Sequence, residues 1–69
     1  MIELGKALRN ARESRNIKQQ ELAELMYCDI STISHYENER RTPNIHVLVQ
    51  MADALNISLD TLVGRKYNG

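Results

Sequence analysis

The chain has 69 residues, of which 42% are hydrophobic and 26% charged, and nine Lys/Arg balance nine Asp/Glu for a formal net charge of zero. This length supports a single domain that buries about 60% of its unfolded surface, and the composition excludes the disordered class. With neither Phe nor Trp, a core has to be assembled from Leu, Ile, Val, Ala, Met and Tyr.

Ile2–Ser14 carries Leu4, Ala7, Leu8 and Ala11 at spacings of three and four, which predicts an amphipathic helix. Arg15-Asn16 ends it, with Asn16 as the stopping residue. A second short helix is predicted over Gln19–Met26, where Leu22, Ala23, Leu25 and Met26 form the apolar stripe. Asp29 reads as the N-cap of a third helix, its carboxylate accepting from the free N–H of Ser31 or Thr32. That helix, Ile30–Asn38, is mostly polar, with Ile33 and Tyr36 as inward residues. A polar helix between apolar ones is either displayed for a partner or plain solvated surface.

Asn44 then caps Ile45–Leu55, in which Ile45, Leu48, Val49, Ala52 and Leu55 recur at helical spacing. Ser58 caps a last helix, Leu59–Val63, which Gly64 stops, and the tail 65–69 is expected to fray. The expected fold is therefore all-α: five short helices in one domain spanning 1–69, without strands, repeats or linkers. No apolar run approaches the ~20 residues of a membrane span, and the N-terminus lacks the apolar core of a signal peptide. One cysteine, Cys28, excludes an internal disulfide and fits a reduced, cytoplasmic setting.

Charge is polarised along the chain. Residues 1–20 carry Lys6, Arg9, Arg12, Arg15 and Lys18 against Glu3 and Glu13. Residues 21–39 carry five acids and no Lys or Arg, and Arg40 and Arg41 then restore positive charge. Zero net charge weakens the case for nucleic acid, since phosphate neutralisation supplies much of the affinity, yet the distribution is compatible with one basic face.

Gln19, Glu21-Leu22-Ala23, Ser31-Thr32-Ile33-Ser34, Glu37, Arg40-Arg41, Pro43 and the string MADALNISLDTLVG stand in a fixed spacing. Together they resemble the lambda-repressor-like, or Xre-type, helix-turn-helix family over nearly the whole chain. The resemblance implies a compact five-helix domain whose second and third helices form the helix-turn-helix. It also implies a sequence-specific double-stranded DNA-binding regulator, a repressor that binds a two-fold operator as a homodimer, formed in solution or only on DNA.

Carried onto this sequence, the family's base-reading positions fall on Ile30, Ser31 and His35, with Thr32 and Ser34 beside them. Their chemistry favours thymine methyls and adaptable hydrogen bonds, and no Lys or Arg stands ready for a bidentate bond to guanine. Gln19 is implied as a backbone contact, joined by Lys18, Asn38, Arg40 and Arg41. Glu37 is implied to pair with Arg12, which would orient Arg12 toward a phosphate. A dimer surface is expected from the last helix and tail, with Leu59, Val63 and Tyr67 as candidates.

Two positions depart from the family. Tyr27 stands where the turn normally has a left-handed glycine, a conformation that costs a tyrosine about 1–2 kcal/mol. Glu39 stands at a second glycine position, and Asn38 is expected to take the left-handed conformation in its place. Cys28 replaces a buried valine and reads as a small core residue.

A protein-interaction module, such as an antitoxin or a partner of another regulator, is the competing reading, favoured by the acidic middle and by Tyr27, Cys28 and Ile30. An enzyme fails on inventory: no paired carboxylates, no nucleophile–base spacing, no glycine-rich phosphate loop. No cofactor is expected, and Cys28, His35 and His46 match no metal-ligand spacing.

Overall fold

Each helix of the computed structural model, which describes residues 3–64, is followed within two residues by a left-handed residue. The order is α1 (Leu4–Ser14), α2 (Gln19–Leu25), α3 (Ile30–Glu37), α4 (Ile45–Leu55) and α5 (Leu59–Leu62). Asn44 accepts the Val47 N–H at 3.0 Å and Ser58 accepts that of Thr61 at 3.1 Å, as their residue types predict. Asp29 heads α3, but its carboxylate makes no cap bond. It remains in water at the positive end of the helix, where its charge still acts.

The helix ends share one geometry. At Asn16, Tyr27, Glu39 and Asn56, φ lies between 55° and 63°. Each time the next residue's N–H reaches back to a carbonyl in the last turn: Ile17 to Arg12 (3.3 Å), Cys28 to Ala23 (2.9 Å), Arg40 to His35 (2.8 Å) and Ile57 to Ala52 (3.0 Å). This is the Schellman pattern, which satisfies carbonyls the helix leaves open. Asparagine tolerates it at Asn16 and Asn56; Tyr27 and Glu39 have no such allowance. Asn38, expected to absorb the turn after α3, instead closes the helix at φ −97°, and Glu39 takes the left-handed place.

α3 packs against both α1 and α2, and α4 and α5 pack on each other and close the opposite side through contacts to α2 and α1. Leu8, Leu22, Ile33, Met51, Leu55 and Leu62 are fully enclosed, with Ala11, Ala23, Met26, Tyr36 and Ala52 around them. Burying each large side chain contributes about 1.5–3 kcal/mol. Ala23 is buried in α2, and the one proline, Pro43, is buried in the loop that follows α3.

Three apolar residues assigned inward point outward: Leu25 is 51% exposed, Ile45 55% and Val49 44%. In α4 the buried stripe runs through Leu48, Met51, Ala52 and Leu55, which leaves Ile45 and Val49 on its flank. Leu59 packs partly against the core, Val63 is half-buried beside Ala7 and Ala11, and Tyr67 with the tail lies outside the described residues.

One glycine decides how α1 meets the end of α3. Gly5 is buried, and its N–H donates to the Glu39 carboxylate. A Cβ there would fall inside contact distance of the Glu37 carbonyl and 2.8 Å from Glu39 Oε1.

Urea denaturation provides two opposite tests. Gly5→Ala is expected to lower stability by about 1–3 kcal/mol, because α1 must move off α3. Tyr27→Gly is expected to raise it by about 0.5–1 kcal/mol, the relief of left-handed strain less the entropy that glycine adds to the unfolded chain. Tyr27 is 94% exposed, so little packing is lost.

Candidate nucleic-acid interface

The interface is built around a buried carboxylate. Ile33, Tyr36 and Glu37 form the inward face of α3, so Ser31, Ser34, His35 and Asn38 stand on the outward one. Ile30, at the start of the helix, is 48% exposed, and Thr32 is half-buried at its flank.

Glu37 is 5% exposed, yet its two oxygens are surrounded by donors from α1 and α2. Oε2 accepts from Arg12 Nε at 2.7 Å. Oε1 accepts from Arg12 Nη2 at 3.1 Å, from Gln19 Nε2 at 3.0 Å and from Arg9 Nε at 3.4 Å. Arg12 Nη1 donates to the Ile17 carbonyl at 2.7 Å and so ties the α1–α2 loop to the same node. Burial alone would raise the Glu37 pKa, but hydrogen bonds from Arg12 and Gln19, the Arg12 charge and the Arg9 bond hold it below the usual carboxylate range. On the other side of the pair, the Glu37 hydrogen bond outweighs burial and raises Arg12.

Arg12 serves the pair first. Its side chain is 9% exposed, and Nε, Nη1 and Nη2 each donate one hydrogen internally, which leaves two of the five guanidinium hydrogens uncommitted among the described residues. The more open arginine of α1 is Arg9, its side chain 43% exposed. Its spacing of three from Arg12 places both on one helix face, a signal the sequence offered.

The other expected phosphate contacts lie around α3. Gln19 opens α2, half-buried, with one amide hydrogen committed to Glu37. Lys18, just before it, is exposed, and its backbone N–H goes to Glu21 Oε1 at 3.0 Å. Arg40 and Arg41 are exposed, and both backbone N–H groups return to the His35 carbonyl, at 2.8 and 3.3 Å. Asn38 is exposed but its side chain is occupied, by Arg9 at Oδ1 and by Ser34 at Nδ2.

Comparison with known proteins agrees with this arrangement. The helix-turn-helix family matches residues 8–62. The chain belongs to that family. Over 64 residues, 93% of its length, it is 33% identical to the HTH-type transcriptional regulator ImmR of Bacillus subtilis. It is also 33% identical over 64 residues to the cryptic phage CTXphi transcriptional repressor RstR of Vibrio cholerae. The matched region spans 50% of the first relative and 57% of the second.

Among solved structures, the restriction-modification controller protein C.AhdI from Aeromonas hydrophila superposes with a TM-score of 0.81 at 28% identity, covering 88% of this chain and 92% of that one. The P22 c2 repressor, solved in complex with a synthetic operator, superposes with a TM-score of 0.77 at 27% identity, covering 91% and 96%. The helix-turn-helix of this chain is thus α2 and α3, joined by the turn at Tyr27.

Around that turn the surface is apolar and acidic. Ile17, Leu25 and Tyr27 line an open groove of about 340 Å³ together with Glu21 and Glu24. Cys28 behaves as a small core neighbour: it packs partly against the core, and burial, then the Asp29 charge, pushes its thiol up. Among the described residues no helix is long and apolar enough to cross a membrane.

The Glu37 node predicts an acid limit to stability. Its folded pKa lies below the unfolded one, so the stabilisation is complete above the ordinary carboxylate range and is lost as pH falls through the depressed value. Glu37→Ala is expected to cost about 3–5 kcal/mol, since it leaves the Arg12 charge buried without a partner. Glu37→Gln is expected to cost less and to flatten the acid limb of a plot of denaturation midpoint against pH.

Proposed function

We propose that the chain is a sequence-specific double-stranded DNA-binding transcriptional regulator, a repressor that occupies a two-fold operator as a dimer with α3 in the major groove. The observation that carries this is the polar outer face of α3, fixed through Glu37 to both α1 and α2 and bordered by Arg9, Arg40 and Arg41. A positioned helix with positive charges beside it suits separate tasks: phosphate contacts set the register, and side chains on the helix read bases. The operator-bound P22 c2 repressor and the repressor RstR, as similar proteins, support the same reading.

In this reading Ile30, Ser31, Thr32 and His35 contact base edges, and Lys18, Gln19, Asn38, Arg40 and Arg41 contact phosphates. One module covers few base pairs, so two copies bind half-sites one helical turn, about 34–36 Å, apart. Val63 and the exposed side of Leu59, with Tyr67, supply the surface for the second copy. Such a regulator works in the cytoplasm, where its DNA is.

A protein-interaction role, as in an antitoxin, is the second reading. It is favoured by one observation, the fully exposed Tyr27 held in a strained turn beside Leu25, Glu21 and Glu24. A strained exposed aromatic is more at home on a surface that meets a partner than on idle surface.

Selection from a random duplex DNA pool tests the main reading. An enriched inverted repeat with half-sites one helical turn apart is expected, and retention without any consensus would point to the protein-partner role. On the selected site, Arg40→Ala and Arg41→Ala should each weaken binding evenly across sequences and reduce the salt slope by about 1. Ser31→Ala and His35→Ala should instead change which bases are preferred.

A further inference from the structure

Asn38, at the end of α3, has its side chain fixed in one orientation by its neighbours. Arg9 Nη2 lies 3.0 Å from Asn38 Oδ1. A guanidinium offers only hydrogens, so this atom of Asn38 must be the accepting oxygen. The amide nitrogen is thereby turned toward Ser34, and Nδ2 donates to Ser34 Oγ at 3.1 Å. Arg9 is itself anchored, its Nε 3.4 Å from Oε1 of the buried Glu37. Donor direction therefore runs one way, from the arginine held by Glu37, through Asn38, to Ser34. The hydroxyl at the end of this line receives a hydrogen bond and gives none among the described residues. Its own hydrogen is left for whatever meets the outer face of α3.

We infer that Ser34 is a specificity-determining residue, set as a hydrogen-bond donor by Arg9 and Asn38, that selects a base with a major-groove acceptor and disfavours cytosine. This rests on the operator-binding reading above. A free serine is indifferent, since its hydroxyl donates and accepts equally well. Here one lone pair is occupied and the Arg9 charge polarises the amide that occupies it, so the hydroxyl is the better donor. Guanine N7 and O6, adenine N7 and thymine O4 all satisfy a donor, whereas cytosine presents only its amino hydrogens. Once water is excluded, two donors face to face both go unsatisfied. Arg9 and Asn38 are positioning residues in this scheme and act through Ser34.

The test compares base preferences, which a merely structural role would not move. Wild type, Ser34→Ala, Arg9→Met and Asn38→Asp are each selected against the same random duplex DNA pool. Wild type is expected to disfavour cytosine by about tenfold at one position in each half-site. Ser34→Ala is expected to lose that preference and leave the other positions intact, and Arg9→Met to weaken it. Asn38→Asp still accepts from Arg9 but also accepts the Ser34 hydrogen, which turns a lone pair outward. It should shift the same position toward cytosine, while its added charge lowers affinity evenly elsewhere.

Unchanged preferences in Ser34→Ala, or an even loss in Asn38→Asp with Arg9→Met like wild type, would overturn the assignment while leaving operator binding intact. A wild-type pool without any consensus would remove operator binding and this inference with it. Thermal melts followed by circular dichroism are expected to show all the variants folded, since Ser34, Arg9 and Asn38 lie outside the core.

Discussion

The Glu37 carboxylate is enclosed and charged, and it persists in that state because donors from two other helices converge on it. An unpaired carboxylate so deeply placed would be too costly to keep ionised. Its partners fix the mutual placement of α1, α2 and α3 more narrowly than apolar contact alone does, since hydrogen bonds have direction and apolar packing has little. The carboxylate also lies near the surface proposed to face phosphates, and Arg12 neutralises it there. The same interaction therefore locks the helices together and removes a charge that would repel DNA.

The two ends of α3 are held in a different way. Both the turn before it and the turn after it use a left-handed residue with a full side chain, Tyr27 and Glu39. Glu39 has a local reason to be there, since its carboxylate accepts the Gly5 N–H at the start of α1. Gly5 in turn has no Cβ because the Glu37 carbonyl occupies that space. Gly5 and the Glu37–Glu39 segment, far apart in the chain, thus define one junction. Tyr27 makes no comparable contact, and its side chain stands almost wholly in solvent.

Much of this was legible in the chain. Helical spacing located all five helices, and the cap residues Asn44 and Ser58 marked where two of them begin. The spacing of Gln19, Ala23, Ile33, Glu37 and Pro43 carried the family resemblance. What the sequence left hidden depends on three-dimensional neighbours. Periodicity counts apolar residues without knowing the width of the buried face, so Leu25, Ile45 and Val49 were assigned inward while Met51 was passed over. Asp29 has the right chemistry for a cap but a solvated side chain. Arg12 and Arg9 are equivalent as letters, and only the depth of Glu37 decides which is enclosed. Gly5 carried no local signal, because the group that excludes a side chain there comes from α3.

The single cysteine has a practical consequence. Cys28 sits directly after the Tyr27 turn, half-sheltered by the core, with its thiol pushed toward the protonated form. Alkylating and disulfide-exchange reagents need a thiolate they can reach, so labelling is slow while the turn is closed and speeds up whenever it opens. The rate of thiol modification is therefore a clock for opening events at the junction of α2 and α3. It is built into the native sequence and needs no engineered probe.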